Sequence, residues 1–131
     1  MAHIHRNMLD KPVSDPSGEL RNYVVSPELG ATETLTHENI LEPGARVRMH
    51  SHAVEEVIIC IEGSGEFTCA SQDPVTYGVG DVIIIPANEP HTLRNTGGGK
   101  LRQLCFFPAT SSQATWIEPD AFGGKYFGAR D

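Results

Sequence analysis

The chain has 131 residues, 17 of them acidic against 10 basic, for a formal net charge of −7 and a pI near 5.3. That length suits a single domain over residues 1–131, and an acidic balance without a basic run argues against a nucleic-acid partner. No stretch approaches the roughly 18 consecutive apolar residues of a membrane span.

The chain begins with Met1 to Lys11, which contains His3, His5, Arg6, Asn7, Asp10 and Lys11 and so lacks the apolar core of a secretory signal. Residues 1–21, with Pro12, Pro16 and Gly18, read as an irregular N-terminal arm or a strand that docks elsewhere. Helical periodicity is nearly absent beyond them. Nine prolines and thirteen glycines cut the sequence into short runs, the pattern of an all-β sandwich or barrel.

Strands are predicted over Asn22 to Val25, Ala31 to Leu41, Ala45 to His52, Glu56 to Glu62, Gly65 to Ala70, Val82 to Pro86, His91 to Asn95 and Leu101 to Pro108. Glu62-Gly63-Ser64-Gly65 and Gly78-Val79-Gly80-Asp81 read as tight turns, and Gly97, Gly98 and Gly99 as a looser loop. Val82-Ile83-Ile84-Ile85 and Leu104-Cys105-Phe106-Phe107 are continuously apolar, which predicts strands covered on both faces. Residues 109–131 hold Trp116, Phe122, Tyr126 and Phe127, an aromatic tail expected to pack over the barrel core at about 31–108. Cys60, Cys69 and Cys105 are odd in number and set in apolar runs. They read as buried thiols of a reducing, cytoplasmic compartment.

The chemistry concentrates in His50, His52, Glu56 and His91. Three imidazoles and a carboxylate are a mixed nitrogen and oxygen set suited to a divalent first-row metal, and residues i and i+2 of a strand face the same side. Gly44, His50, His52, Glu56 and Gly63, at the spacing G-x5-H-x-H-x3-E-x6-G, match the first motif of the cupin family. Gly80, Pro86, Asn88, His91 and Asn95, at the spacing G-x5-P-x-N-x2-H-x3-N, match the second with one departure. The family has glycine where this chain has Asn88, and asparagine is the residue other than glycine that best tolerates a left-handed backbone. The chain therefore resembles a small single-domain cupin over about residues 40–108. The resemblance implies a jelly roll of two antiparallel sheets, a metal held by His50, His52, Glu56 and His91, and ends that cross to a partner subunit. Iron(II) or manganese(II) is the expected ion, with Ni2+, Co2+ or Zn2+ also compatible with the ligands.

Strand parity extends the reading. Arg46 and Arg48 share the parity of His50 and His52, so Arg48 is expected inside the cavity, where it would anchor an anion or take part in catalysis. Parity from Glu56 adds Ile58 and Cys60 to the substrate-binding walls, and parity from His91 adds Leu93. The facing of Phe67, Tyr77, Gln103 and Phe107 stays open. His3, His5 and His37 lie outside both motifs and are expected to be surface histidines. Val47 and Met49 have the opposite parity, an outward apolar stripe expected to favour a homodimer.

Two classes of function follow. The first is a mononuclear metalloenzyme for a small polar or carboxylate-bearing molecule, by dioxygenase or oxidase chemistry. Isomerase, lyase or decarboxylase chemistry, with Glu56 handling a proton, is its alternative. The second is a non-catalytic module binding a sugar-like ligand.

Overall fold

Short runs of alternating polarity, each closed by glycine, proline or asparagine, set the architecture. The structure, a computed structural model, describes residues 1–11, 20–117 and 126–127. Twelve strands form among them: β1 Leu20–Val25, β2 Leu35–Leu41, β3 Arg46–Val47, β4 His50–His52, β5 Glu56–Glu62, β6 Ser64–Cys69, β7 Gln72–Gly78, β8 Val82–Ile85, β9 His91–Asn95, β10 Leu101–Phe107, β11 Ala114–Trp116 and β12 Tyr126–Phe127. One sheet runs β1-β2-β10-β5-β8. The other runs β11-β4-β9-β3-β12, with β6 bridging β9 to β7. Pairing is antiparallel except for β12 on β3. The result is an all-β jelly roll, and among the described residues no helix is long and apolar enough to cross a membrane.

The core fills the space between the sheets with Leu35, Leu41, Val47, Ile58, Phe67, Ile85, Leu93, Leu101, Cys105 and Phe107, all buried. The outer face of the first sheet departs from expectation. In β8, Ile85 is buried but Val82 and Ile84 are 55% and 65% exposed, and in β10 Phe106 is 37% exposed beside buried Cys105 and Phe107. The continuously apolar runs are thus covered on one side only by the described residues.

Special backbone positions explain the turns. Gly63 has φ +82°, and a Cβ there would stand 2.5 Å from the carbonyl oxygen of Lys100, so only glycine fits between β5 and β6. Asn88 adopts φ +68°, the left-handed conformation expected of it, and its amide donates to the carbonyl of His52 at 2.6 Å. Asn95 closes the second motif. Its Nδ2 donates to the carbonyls of Leu41 and Gly99, and its Oδ1 accepts from the Gly97 amide, which pins the glycine loop to both sheets.

Three elements differ from the prediction. A single 3-10 turn, Pro27–Leu29, with Gly30 left-handed behind it, occupies the approach to β2 and delays that strand to Leu35. β7 was not predicted, because Pro74 interrupts a polar run; it is an edge strand, where a missing amide costs no ladder bond. The predicted strand 45–52 is split into β3 and β4. Arg46 faces Arg94 and His50 faces His91, so four residue steps on one side match three on the other. That extra residue is a bulge, and it reverses the alternation.

The N-terminal arm docks on the outside of β2 through Glu38, which is fully buried. Its carboxylate accepts from the Asp10 amide at 2.8 and 3.0 Å, from Asn22 Nδ2 at 3.0 Å and from the Arg102 guanidinium. Burial alone would raise the Glu38 pKa, but these donors more than offset it and hold it below the ordinary value. Residues 12–19, 118–125 and 128–131 lie outside the described residues, and with them the packing expected of Phe122. Replacing Glu38 by alanine strands part of the Arg102 charge and should cost about 3–5 kcal/mol in urea unfolding. A loss below about 1 kcal/mol would mean that the carboxylate only fills space. Because the folded pKa is depressed, the contribution of Glu38 should be present above the unfolded value and lost as pH falls through the folded one.

Candidate metal centre

β4, β5 and β9 bring the four predicted ligands together. His50 and His52 lie on β4, His91 faces His50 across the ladder, and Glu56 opens β5 in the opposite sheet. All four are buried, and one donor atom from each lies within 4.8 Å of every other. Two ligands opposite each other across an ion span about 4.4 Å, so a small inward shift would close the set.

The imidazoles are aimed by backbone carbonyls. His50 Nδ1 stands 2.7 Å from the Arg48 carbonyl, His52 Nδ1 3.0 Å from that of Gln113, and His91 Nδ1 2.9 Å from that of Glu89. A carbonyl only accepts, so each Nδ1 carries the proton and each Nε2 keeps its lone pair free for a metal. Glu56 Oε1 lies 3.6 Å from His52 Nε2 and 3.2 Å from His91 Nε2. It is buried and accepts no hydrogen bond among the described residues. A buried acceptor without a donor is costly, and a cation among the three Nε2 atoms would satisfy it. The residues fit a divalent metal.

Electrostatics agree. Burial, followed by the charges of His91 and His52, holds the His50 pKa well below its ordinary value, and burial likewise lowers that of His52. Neutral imidazole is the ligand form.

The cavity measures about 30 Å3 and is lined by the four predicted ligands with His37, Asn39, Val47, Ile58, Leu93, Gln103, Cys105 and Phe107. Ile58 and Leu93 therefore line it as expected. Cys60 does not: it is buried further along β5, with its thiol against the carbonyls of Glu62 and Gly63 and its pKa raised by burial. Arg48 is also absent from the walls. Because the bulge resets parity, Val47 rather than Arg48 faces inward, and Val47 and Met49 do not form an outward stripe. The Arg48 guanidinium instead lies 3.7 Å over the ring of Trp116, which in turn stands 5.4 Å from the His50 ring.

Two contributions were not read from the sequence. His37, expected on the surface, is 4% exposed and lines the cavity, sharing the inward parity of Leu35 and Asn39 on β2. That parity was available once β2 was recognised. The other is β11, which pairs with β4 and supplies the Gln113 carbonyl to His52, a contact between distant residues that no local pattern announces.

The comparisons agree with this geometry. Residues 38–107, about half of the chain, match the cupin domain. An uncharacterized protein of Methanocaldococcus jannaschii is 30% identical over 111 residues, covering 82% of this chain and 87% of that protein. Among solved structures, a cupin-like protein from Thermotoga maritima superposes with a TM-score of 0.66 at 24% identity, over 76% of this chain and 75% of that one. The Bacillus subtilis oxalate decarboxylase, described with Mn(II) centres, gives a TM-score of 0.73 at 22% identity, over 84% of this chain but only 31% of that longer chain. With both motifs in place on a jelly roll, the chain belongs to the cupin family.

Proposed function

We propose that the protein is a mononuclear metalloenzyme of the dioxygenase or oxidase type, acting on a small polar or carboxylate-bearing molecule. One observation carries the reading: three Nε2 atoms, each fixed by a carbonyl behind its ring, converge with a buried Glu56 oxygen that accepts no hydrogen bond among the described residues. An ion held there supplies Lewis acidity and, if it is iron or manganese, a route to oxygen chemistry. Val47, Ile58, Leu93 and Phe107 exclude bulk water, which strengthens every charge interaction inside. Arg48 enters this reading as a positioning residue, through its stack on Trp116 beside His50.

A decarboxylase, isomerase or lyase is the second reading, suggested by the fold shared with the manganese oxalate decarboxylase. In it Glu56 is the group that holds the proton.

The proposal also includes a homodimer. Val57 and Ile59 of β5 pair with Ile84 and Val82 of β8 on one side and with Phe106 and Leu104 of β10 on the other, a contiguous outward apolar face. Burying it against a second copy would remove that apolar surface from water. Light scattering at micromolar concentration should give twice the chain mass, and Ile84→Lys should give one. A wild-type monomer would remove this part.

Metal analysis of untagged protein should find about one equivalent of iron or manganese per chain. His50→Ala and His91→Ala should abolish it, Glu56→Ala should weaken it severely, and Glu55→Ala should leave it intact. Retention should persist as pH falls to about 6.5, since His50 and His52 stay neutral there, and metal should leave only at lower pH. Metal lost with Glu55→Ala but kept with Glu56→Ala would identify the wrong carboxylate.

Oxygen uptake upon presenting the loaded protein with small carboxylates separates the two chemistries. Consumption of dioxygen supports the first reading. Carbon dioxide release without it supports the second.

A further inference from the structure

Among the described residues β7 is paired on one side only, by β6, and β8 on one side only, by β5, while residues 79–81 join the two strands. A cleft of about 400 Å3 lies between them, against about 30 Å3 over the four predicted ligands. That volume falls within the roughly 300–1,000 Å3 of small-molecule pockets. None of His50, His52, Glu56 or His91 lines it, so it is separate from the candidate metal centre.

The chemistry of its walls is uneven. Phe67, Val75, Ile83, Ile85 and Pro86 supply apolar surface, and Tyr77 has its hydroxyl bonded to Gln103 at 2.7 Å. Ile83 and Ile85 belong to the inward row of β8, paired with Ile58 and Glu56, whereas Val82 and Ile84 belong to the outer row. The polar groups are gathered: Cys69 Sγ lies 3.5 Å from Ser71 Oγ, which donates to Glu89 Oε1. Gln72 adds an uncharged amide. Glu89 is the one charged residue among those that line the cleft, and a carboxylate is ionised at neutral pH.

A single carboxylate in a mostly apolar wall selects by sign and by shape. A ligand carboxylate is repelled there, and a neutral apolar molecule draws nothing from the charge. An ammonium pairs with the carboxylate through a charge-assisted hydrogen bond while an apolar body covers the neighbouring side chains. The net charge of −7 favours the same sign of ligand at longer range.

We propose that the cleft between β7 and β8 is a binding site for a small organic ammonium with an apolar body, its head on Glu89 and its body against Phe67, Val75, Ile83 and Ile85. This ligand differs from the carboxylate-bearing substrate of the metal centre, and the assignment stands without the metal reading. The two sites nevertheless share a boundary. The Phe67 ring stands 6.1 Å from that of His91, Cys69 faces His91 across the ladder of β6 and β9, and the Glu89 carbonyl accepts from His91 Nδ1. The ammonium is a second molecule, held against the back of the centre.

The test is calorimetry on the full-length protein as purified, with 2-phenylethylammonium as the probe and 2-phenylethanol and phenylacetate as its neutral and anionic counterparts. Wild type should bind one ammonium per chain, with the alcohol roughly 10-fold weaker or more, as the loss of one charge-assisted hydrogen bond implies, and the carboxylate weaker still. Glu89→Gln should bring the ammonium level with the alcohol. Amide NMR shifts caused by the ammonium should fall on residues 67–77 and 82–89. Equal affinity of wild type for the ammonium and the alcohol would overturn the proposal, and that comparison needs no variant. Unchanged ammonium affinity in Glu89→Gln, shifts confined to other residues, or no ammonium binding at millimolar concentration would overturn it as well. None of these outcomes bears on the metal content, so the two readings fail separately.

Discussion

Everything at the centre depends on three backbone carbonyls. An imidazole serves a metal only when neutral and turned so that one nitrogen offers its lone pair inward. Arg48, Gln113 and Glu89 impose both conditions by accepting the other nitrogen's proton. Each carbonyl comes from a different kind of place: the bulge before β4, the approach to β11 and the turn before β9. The ligand set is therefore built by the fold as a whole. Burial adds its own term, since it disfavours the protonated rings that would repel both a cation and each other.

The bulge between β3 and β4 shows how one residue decides what the cavity contains. Without it, Arg46 and Arg48 would point inward with the histidines, and a guanidinium inside an apolar barrel would demand a compensating anion. With it, Val47 fills that wall, and Arg48 lends its carbonyl to His50 while its side chain stacks on Trp116. The same residue thus supports the centre from behind.

Much of this was legible in the sequence. The motif spacings located all four side chains of the buried cluster, and the glycine and asparagine positions located their turns because Gly63, Gly80 and Asn88 need a left-handed backbone that few residues adopt. What failed was inference by uninterrupted alternation. A bulge leaves no signature in composition, so Arg48 was assigned to the wrong face. Cys60 has the inward parity of Glu56 and Ile58, yet it sits deeper along β5 among core side chains: parity gives a face but not a depth. His37 was missed for the opposite reason. It belongs to no motif, and only the inward row Leu35, His37, Asn39 on a correctly bounded β2 reveals it. Gln113 was beyond reach, since its partner is 61 residues away.

The walls around the four side chains are the second thing the fold supplies. The space over the four side chains measures about 30 Å3, and Asn39 and Gln103 stand in its walls beside Val47, Ile58, Leu93 and Phe107. β11 backs this cluster without lining the cavity. It is held to β4 by three facing residue pairs, by the Ile117 amide on the Met49 carbonyl and by the Trp116 stack under Arg48. Moving it would withdraw the Gln113 carbonyl from His52, so the aim of that ring depends on the seat of β11.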